Sequence, residues 1–400
     1  MMQISDEQQT KSDVALFQLA FRPLFLCGGL FSCIALVVWG LVLNGHWSFS
    51  PYGGALFWHS HEMLFGFVCA IVIGFLLTAV QNWTGLRSIH GRKLLLLTLA
   101  WLIARVAMVV PALPHWLVFG IDMVFLPLAG YWLAKPIIVK GQMRNLFFVP
   151  IILLLSAANL LMHLGVTLGM PELYQHGYMS AIWLITLLMS VLGGRVIPFF
   201  TANATATKKV DGKPWLEIAA LGSTWFIFVL FFTGAVYYLS NELIGGMLII
   251  CAVFHCLRAA RWPFFKTLAV PLLWSLHLAY WFIPVGIILM GMSYFTDLLS
   301  ISTAFHALTV GAMGNMILSM MARVSLGHTG RKLVVKHAII FAFGAVLIAA
   351  LLRVFGVLIN SQLSLYFISL SVITWCMAYG LFCLVYFPVL TQPRADGRAG

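Results

Sequence analysis

The chain has very little charge. Of its 400 residues only 8% are Asp, Glu, Lys or Arg, and just 11 are acidic. Soluble domains carry about a quarter charged residues, so a water-facing globular fold is excluded. Cysteine motifs are missing as well. Cys27, Cys33, Cys69, Cys251, Cys256, Cys376 and Cys383 include no Cys-x-x-Cys and no Cys-x-x-Cys-His, which excludes covalently attached haem. All seven fall inside apolar runs and read as small buried hydrophobes. There is no basic patch either: the net charge of +12 is scattered in ones to threes between apolar stretches, which argues against nucleic acid. Residues 1–13 are polar and lack the basic, apolar and small-residue order of a cleaved signal peptide. Residues 1–20 and 389–400 read as short cytoplasmic tails around one polytopic membrane domain, 21–388.

What the chain has is hydrophobicity, 62% of all residues. A membrane-crossing helix needs about 20 apolar residues, and such runs follow almost without pause from Leu24 to Tyr386. Hydropathy predicts an all-α integral membrane protein of about twelve transmembrane helices. They fall near 24–43, 59–80, 94–110, 116–134, 146–168, 177–198, 217–239, 243–258, 271–292, 303–323, 337–358 and 363–386. Loops after even-numbered helices carry Arg87, Arg92 and Lys93; Lys135, Lys140 and Arg144; Lys208, Lys209 and Lys213; Arg261 and Lys266; Arg331, Lys332 and Lys336. The intervening loops, such as 44–58 and 291–302, hold no Lys or Arg. By the positive-inside rule both termini are cytoplasmic and even-numbered helices descend from outside.

Direction converts sequence position into depth, at about 1.5 Å per residue. His59, His61, His176 and His306 then stand at the outer starts of helices 2, 6 and 10, and His163 stands near the outer end of helix 5. The run Trp58-His59-Ser60-His61-Glu62-Met63 is the densest set of ligand-type side chains. Ionisable groups at membrane depth are costly and mark candidate sites; they also cap helix ends, which is the competing reading. Residues two apart on a helix point about 200° from each other, so His59 and His61 face different partners. Each of helices 2, 6 and 10 begins with histidine and lies four helices from the next, a period that predicts three pseudo-symmetric four-helix arcs. His61 and His306, on different helices, suit the two axial positions of a b-type haem, and His59 and His176 are candidate copper ligands. Arg105 and Arg353 either pair with haem propionates or snorkel to the interface.

Five stretches carry a family resemblance: Phe21-Arg22-Pro23, Trp58–Phe67 (WHSHEMLFGF), Gly74–Gly85 (GFLLTAVQNWTG), Gly193–Thr201 (GGRVIPFFT) and Met321–Gly330 (MARVSLGHTG). With them the chain resembles the NnrS family of bacterial haem- and copper-containing membrane proteins linked to nitric oxide. The resemblance implies an inner-membrane protein of denitrifying or nitrosatively stressed cells. Such a protein would bind or reduce nitric oxide at a periplasm-facing metal site and, if catalytic, would be an oxidoreductase. The histidine-bearing helices are also similar to subunit I of haem-copper oxidases and nitric oxide reductases, with His61 and His306 at the low-spin haem and His176 at copper. Two departures point to one haem with an atypical copper site: helix 7 (216–239) has no histidine, and Ala304 stands two residues before His306.

Carboxylates are absent from the inner halves of the helices except Glu217 at a boundary, which argues against proton pumping. Toward the outside, Glu62 and Asp122 are candidates for a proton path to a metal site. Electrons would come from a quinol or a separate redox protein. The alternative is a metal-free polytopic transporter, since about twelve helices is also a common carrier count and Gly or Pro interrupts several spans.

Overall fold

In hydrocarbon a backbone N–H or C=O finds no water, so a spanning segment must close its hydrogen bonds internally. The computed structural model, which describes residues 14–397, meets that demand with helix throughout; no strand occurs among the described residues. Twelve helices run in order: α1 Phe21–Leu43, α2 Ala55–Thr84, α3 Gly91–Ala107, α4 His115–Val139, α5 Met143–Thr167, α6 Pro171–Thr205, α7 Pro214–Phe232, α8 Asn241–Ala260, α9 Pro271–Met292, α10 Ile301–His328, α11 His337–Ile359 and α12 Ser361–Thr391. Eleven are long and apolar enough to cross a membrane, and α3, with 17 residues, rises about 25 Å. The protein is therefore an all-α polytopic membrane protein. The tail read over residues 1–13 lies outside the described residues.

The helices run past the hydropathy windows where local chemistry allows. α2 is bounded by Gly54 (φ 84°) and Gly85 (φ 68°), left-handed conformations that a side chain disfavours. α6 begins at Pro171, whose missing N–H is harmless in a first turn, and reaches 35 residues. Outward-facing side chains are large and apolar: Leu96, Ile218 and Leu384 are 64%, 72% and 75% exposed. Only lipid makes such a surface favourable.

The described residues group into two compact units. Unit 1 holds the chain up to Ala181, Met321–Val334 and the residues from Tyr379 onward. Unit 2 holds Ile182–Met320 and Val335–Ala378. This division does not follow the four-helix period of the histidines. A different echo of that period appears within the helices. α2 turns π-helical over Glu62–Val68, directly after His61, and α10 does so over Ala307–Gly314, directly after His306. π-segments inside α-helices recur at functional sites because the wider turn re-aims side chains.

Candidate functional site

In unit 1 the wide turn of α2 leaves two consecutive residues, His61 and Glu62, both fully buried. A carboxylate placed there requires a cation. Arg105, near the end of α3, answers it: Nη1 donates to Glu62 Oε1 at 2.6 Å, and Nη2 donates to Asp122. The guanidinium fits because Gly66 has no side chain; a Cβ there would stand 2.9 Å from Arg105 Nη1. Asp122 closes the first segment of α4 and is the hub of the network. Its Oδ2 accepts from Asn159 Nδ2 at 2.7 Å, from His163 Nε2 at 3.1 Å and lies 3.2 Å from His61 Nε2. Asn159 and His163, four apart on α5, share one helix face. His61 Nε2 also meets Asn159 Oδ1 at 2.8 Å, and its Nδ1 meets Glu62 Oε1 at 2.9 Å.

These partners assign the protons. His163 Nε2 donates to the Asp122 carboxylate, so its Nδ1 accepts from the Tyr52 hydroxyl at 3.1 Å. Burial and the Asp122 charge push the Tyr52 phenol up to about 12, which keeps it a donor. Tyr52→Phe is therefore expected to lower stability by about 1 kcal/mol, one neutral hydrogen bond, as read by thermal unfolding in detergent. His61 is different, because both of its ring nitrogens face oxygen acceptors. With neutral imidazoles the group of Glu62, Asp122 and Arg105 carries one net negative charge in a buried setting. Neutrality is reached by a second ring proton on His61, by a proton on Glu62, or by a metal ion at the His61 and His163 nitrogens.

The geometry admits the ion. One ligand atom each from His61, Asp122 and His163 lies within 4.8 Å of the others, and all three residues are buried. The two nitrogen-to-Asp122 distances, 3.2 and 3.1 Å, match the edge of about 3.3 Å that tetrahedral bonds of roughly 2.05 Å produce. Two imidazoles and a carboxylate suit copper or iron(II). A haem does not fit at His61 in this arrangement: Asn159 and Asp122 occupy the Nε2 edge, and the Phe57 and Phe65 rings flank the imidazole at 5.3 and 5.2 Å.

The other expected residues are spread more widely. His59 turns away from the network and stacks on Trp39 of α1, with centroids 4.3 Å apart and planes within 7°. His176, on the first turns of α6, is half-buried and outside the His61–Asp122–His163 group. Arg105 is buried with two protein carboxylates rather than snorkelling. In unit 2 His306 is half-buried, its Nδ1 donating to Ser302 O at 2.6 Å, and Arg353 Nη2 donates to Ser302 Oγ at 3.3 Å. Glu62 and Asp122 both lie at the cluster. Tyr52 and Asn159 join the site from outside the sequence candidates, and depth alone marks His163 in the sequence. The findable signal was Asn159 and His163, two polar residues four apart inside an otherwise apolar span.

Unit 2 contains a second buried polar group. Arg258 donates from Nε and Nη2 to Glu217, and from Nη1 to Ser190 O at 2.7 Å and Tyr280 Oη at 2.8 Å. Tyr280 continues to His255 at 2.9 Å, and His255 to Thr224 at 2.8 Å. The Gly193-Gly194 pair makes room for it: Gly193 faces the Tyr280 ring and Gly194 the Arg258 guanidinium. A cavity of about 200 Å³ opens beside Glu217, Arg258 and Arg261.

Twelve helices with a lipid-facing apolar surface and a buried histidine–carboxylate–arginine cluster define a polytopic membrane protein with an internal polar network. Residues 15–394 match the family described as NnrS protein. The chain belongs to the NnrS family and is thus a multi-pass membrane protein connected with nitric oxide. Comparison with curated proteins gives no match.

Proposed function

We propose that the protein holds a copper or iron ion at His61, Asp122 and His163 and binds or reduces nitric oxide beside it, in the bacterial cytoplasmic membrane. The observation that carries this reading is the convergence of two imidazole nitrogens and a carboxylate oxygen around a position that lacks one positive charge. The ion would supply a coordination position for nitric oxide. The protein's own residues do the rest. With an ion held by the two Nε2 atoms, each ring proton would sit on Nδ1, where His61 would donate to Glu62 and His163 to the Tyr52 hydroxyl, the outward partners that orient ligating histidines. Arg105 balances the two carboxylates. Glu62 Oε2 is buried and without a hydrogen-bond partner, so it is the oxygen free to take up a proton. Reduction consumes protons, and electrons would arrive from a quinol or a separate redox protein. His306, oriented by Ser302 beside Arg353, is the position in unit 2 where a b-type haem is expected.

Metal and haem quantification on purified protein tests the reading. Wild type is expected to carry about one copper or iron per chain outside any haem, and His163→Ala and His61→Ala to lose it. His306→Ala is expected to keep that ion and to lose the haem absorbance. An unchanged ion content in both His61→Ala and His163→Ala would overturn the site.

A further inference from the structure

Three of the family-like stretches meet at a place in unit 1 that the metal reading does not use. The first turn of α1 carries Phe21-Arg22-Pro23. Its Phe21 N–H donates to Thr78 Oγ1 of α2 at 3.0 Å, and the Phe21 ring lies 5.9 Å from the His328 ring at the end of α10. Between them the Arg22 side chain is fully buried. Its Nη1 donates to the carbonyls of Leu390 and Gln392, at 3.3 and 2.6 Å, and so ties down the end of α12. Carbonyl dipoles do not neutralise a full charge, and Arg22 Nε and Nη2 have no hydrogen-bond partner among the described residues. Those two nitrogens form the side-on fork with which a guanidinium grips two oxygens of one anion.

The surroundings raise the demand. Arg331 and Arg394 lie close enough to add like charge. The carboxylate in this group, Asp396, is engaged by Arg394 at 2.9 and 2.6 Å. Three guanidinium groups against one carboxylate leave a charge of about +2, to which the helix start adds its partial positive end. No carboxylate among the described residues pairs with Arg22. A buried charge left in this state costs more than a helix-end staple returns. Carboxylate ligands would supply one charge; a phosphate group supplies the fork's two oxygens and further oxygens for the flanking arginines. Loop charges place this end of the unit on the cytoplasmic side, where both lipid phosphate and soluble phosphate are at hand.

We propose that Arg22, with Arg331 and Arg394, is a binding site for a phosphate group at the cytoplasmic end of unit 1. Arg331 and Arg394 are partly exposed.

The test is thermal unfolding of the full chain in a maltoside detergent, which carries no phosphate. Inorganic phosphate is titrated in one arm and phosphatidylglycerol in the other. Saturable stabilisation in either arm supports the site. Phosphatidylglycerol alone would identify the source as lipid, and inorganic phosphate alone a soluble anion. Arg331→Gln leaves the α12 staple intact and is expected to weaken the effect about tenfold, the loss of one charge-assisted hydrogen bond. Arg22→Lys keeps the charge but not the fork and is expected to weaken it at least as much. No stabilisation in either arm, or equal stabilisation of wild type and both variants, overturns the proposal.

Discussion

Arg105→Met is expected to destabilise the protein by about 3–5 kcal/mol, the loss typical when one member of a buried ionic group is removed. The side chain is 4% exposed and balances Glu62 and Asp122, which are 0% and 2% exposed. Methionine fills the volume but leaves the Glu62 and Asp122 carboxylates without their guanidinium. Adding Asp122→Asn removes one of those charges and restores neutrality, so the double variant is expected to be more stable than Arg105→Met alone. Asparagine can still exchange hydrogen bonds with Asn159 and His163, so packing around the hub survives. Detergent unfolding followed by tryptophan fluorescence, run as a double-mutant cycle, reads the coupling. Simple addition of the two losses would mean that the groups do not act as one electrostatic unit.

Gly194→Ala is expected to have an effect of the same size in unit 2. A Cβ at Gly194 would overlap Arg258 Nη2 and force the guanidinium out of its place. Ejecting it breaks the pair with Glu217 and the bonds to Ser190 O and Tyr280 Oη together. A loss of about 3–5 kcal/mol is expected. Gly222 is the control: it lies in α7, a Cβ there meets nothing within 4 Å, and Gly222→Ala is expected to stabilise by about 0.5–1 kcal/mol through helix propensity. Equal effects at the two positions would remove the case for a steric role of the glycine pair.

The residues of the two buried groups differ in how much of their role the sequence carries. His61 and Glu62 stood out because titratable side chains at the mouth of an apolar helix are rare. That His59 and His61 diverge followed from helical periodicity, and in the structure one stacks on Trp39 while the other enters the network. The π-segment after His61 was not legible, because the sequence WHSHEMLFGF has no proline or other local mark of a widened turn. Arg105 was read as a partner for haem propionates or as a snorkelling residue. Its two carboxylates come from α2 and α4, and no local rule selects among spans that are all apolar.

The sequence by itself determined the all-helical polytopic fold, the number of helices and their approximate limits, since hydropathy over about 20 residues and loop charge are local, additive quantities. Tertiary structure alone decided which polar groups meet. Tyr52, His61, Arg105, Asp122, Asn159 and His163 come from five separate stretches of chain, and Arg22 meets Leu390 and Gln392 across almost the whole sequence. Each of these groups pays a desolvation penalty that only a specific neighbour relieves. Pairing is therefore a property of how the helices pack, and it is where the buried polar cluster of unit 1 and the unpartnered fork of Arg22 become visible.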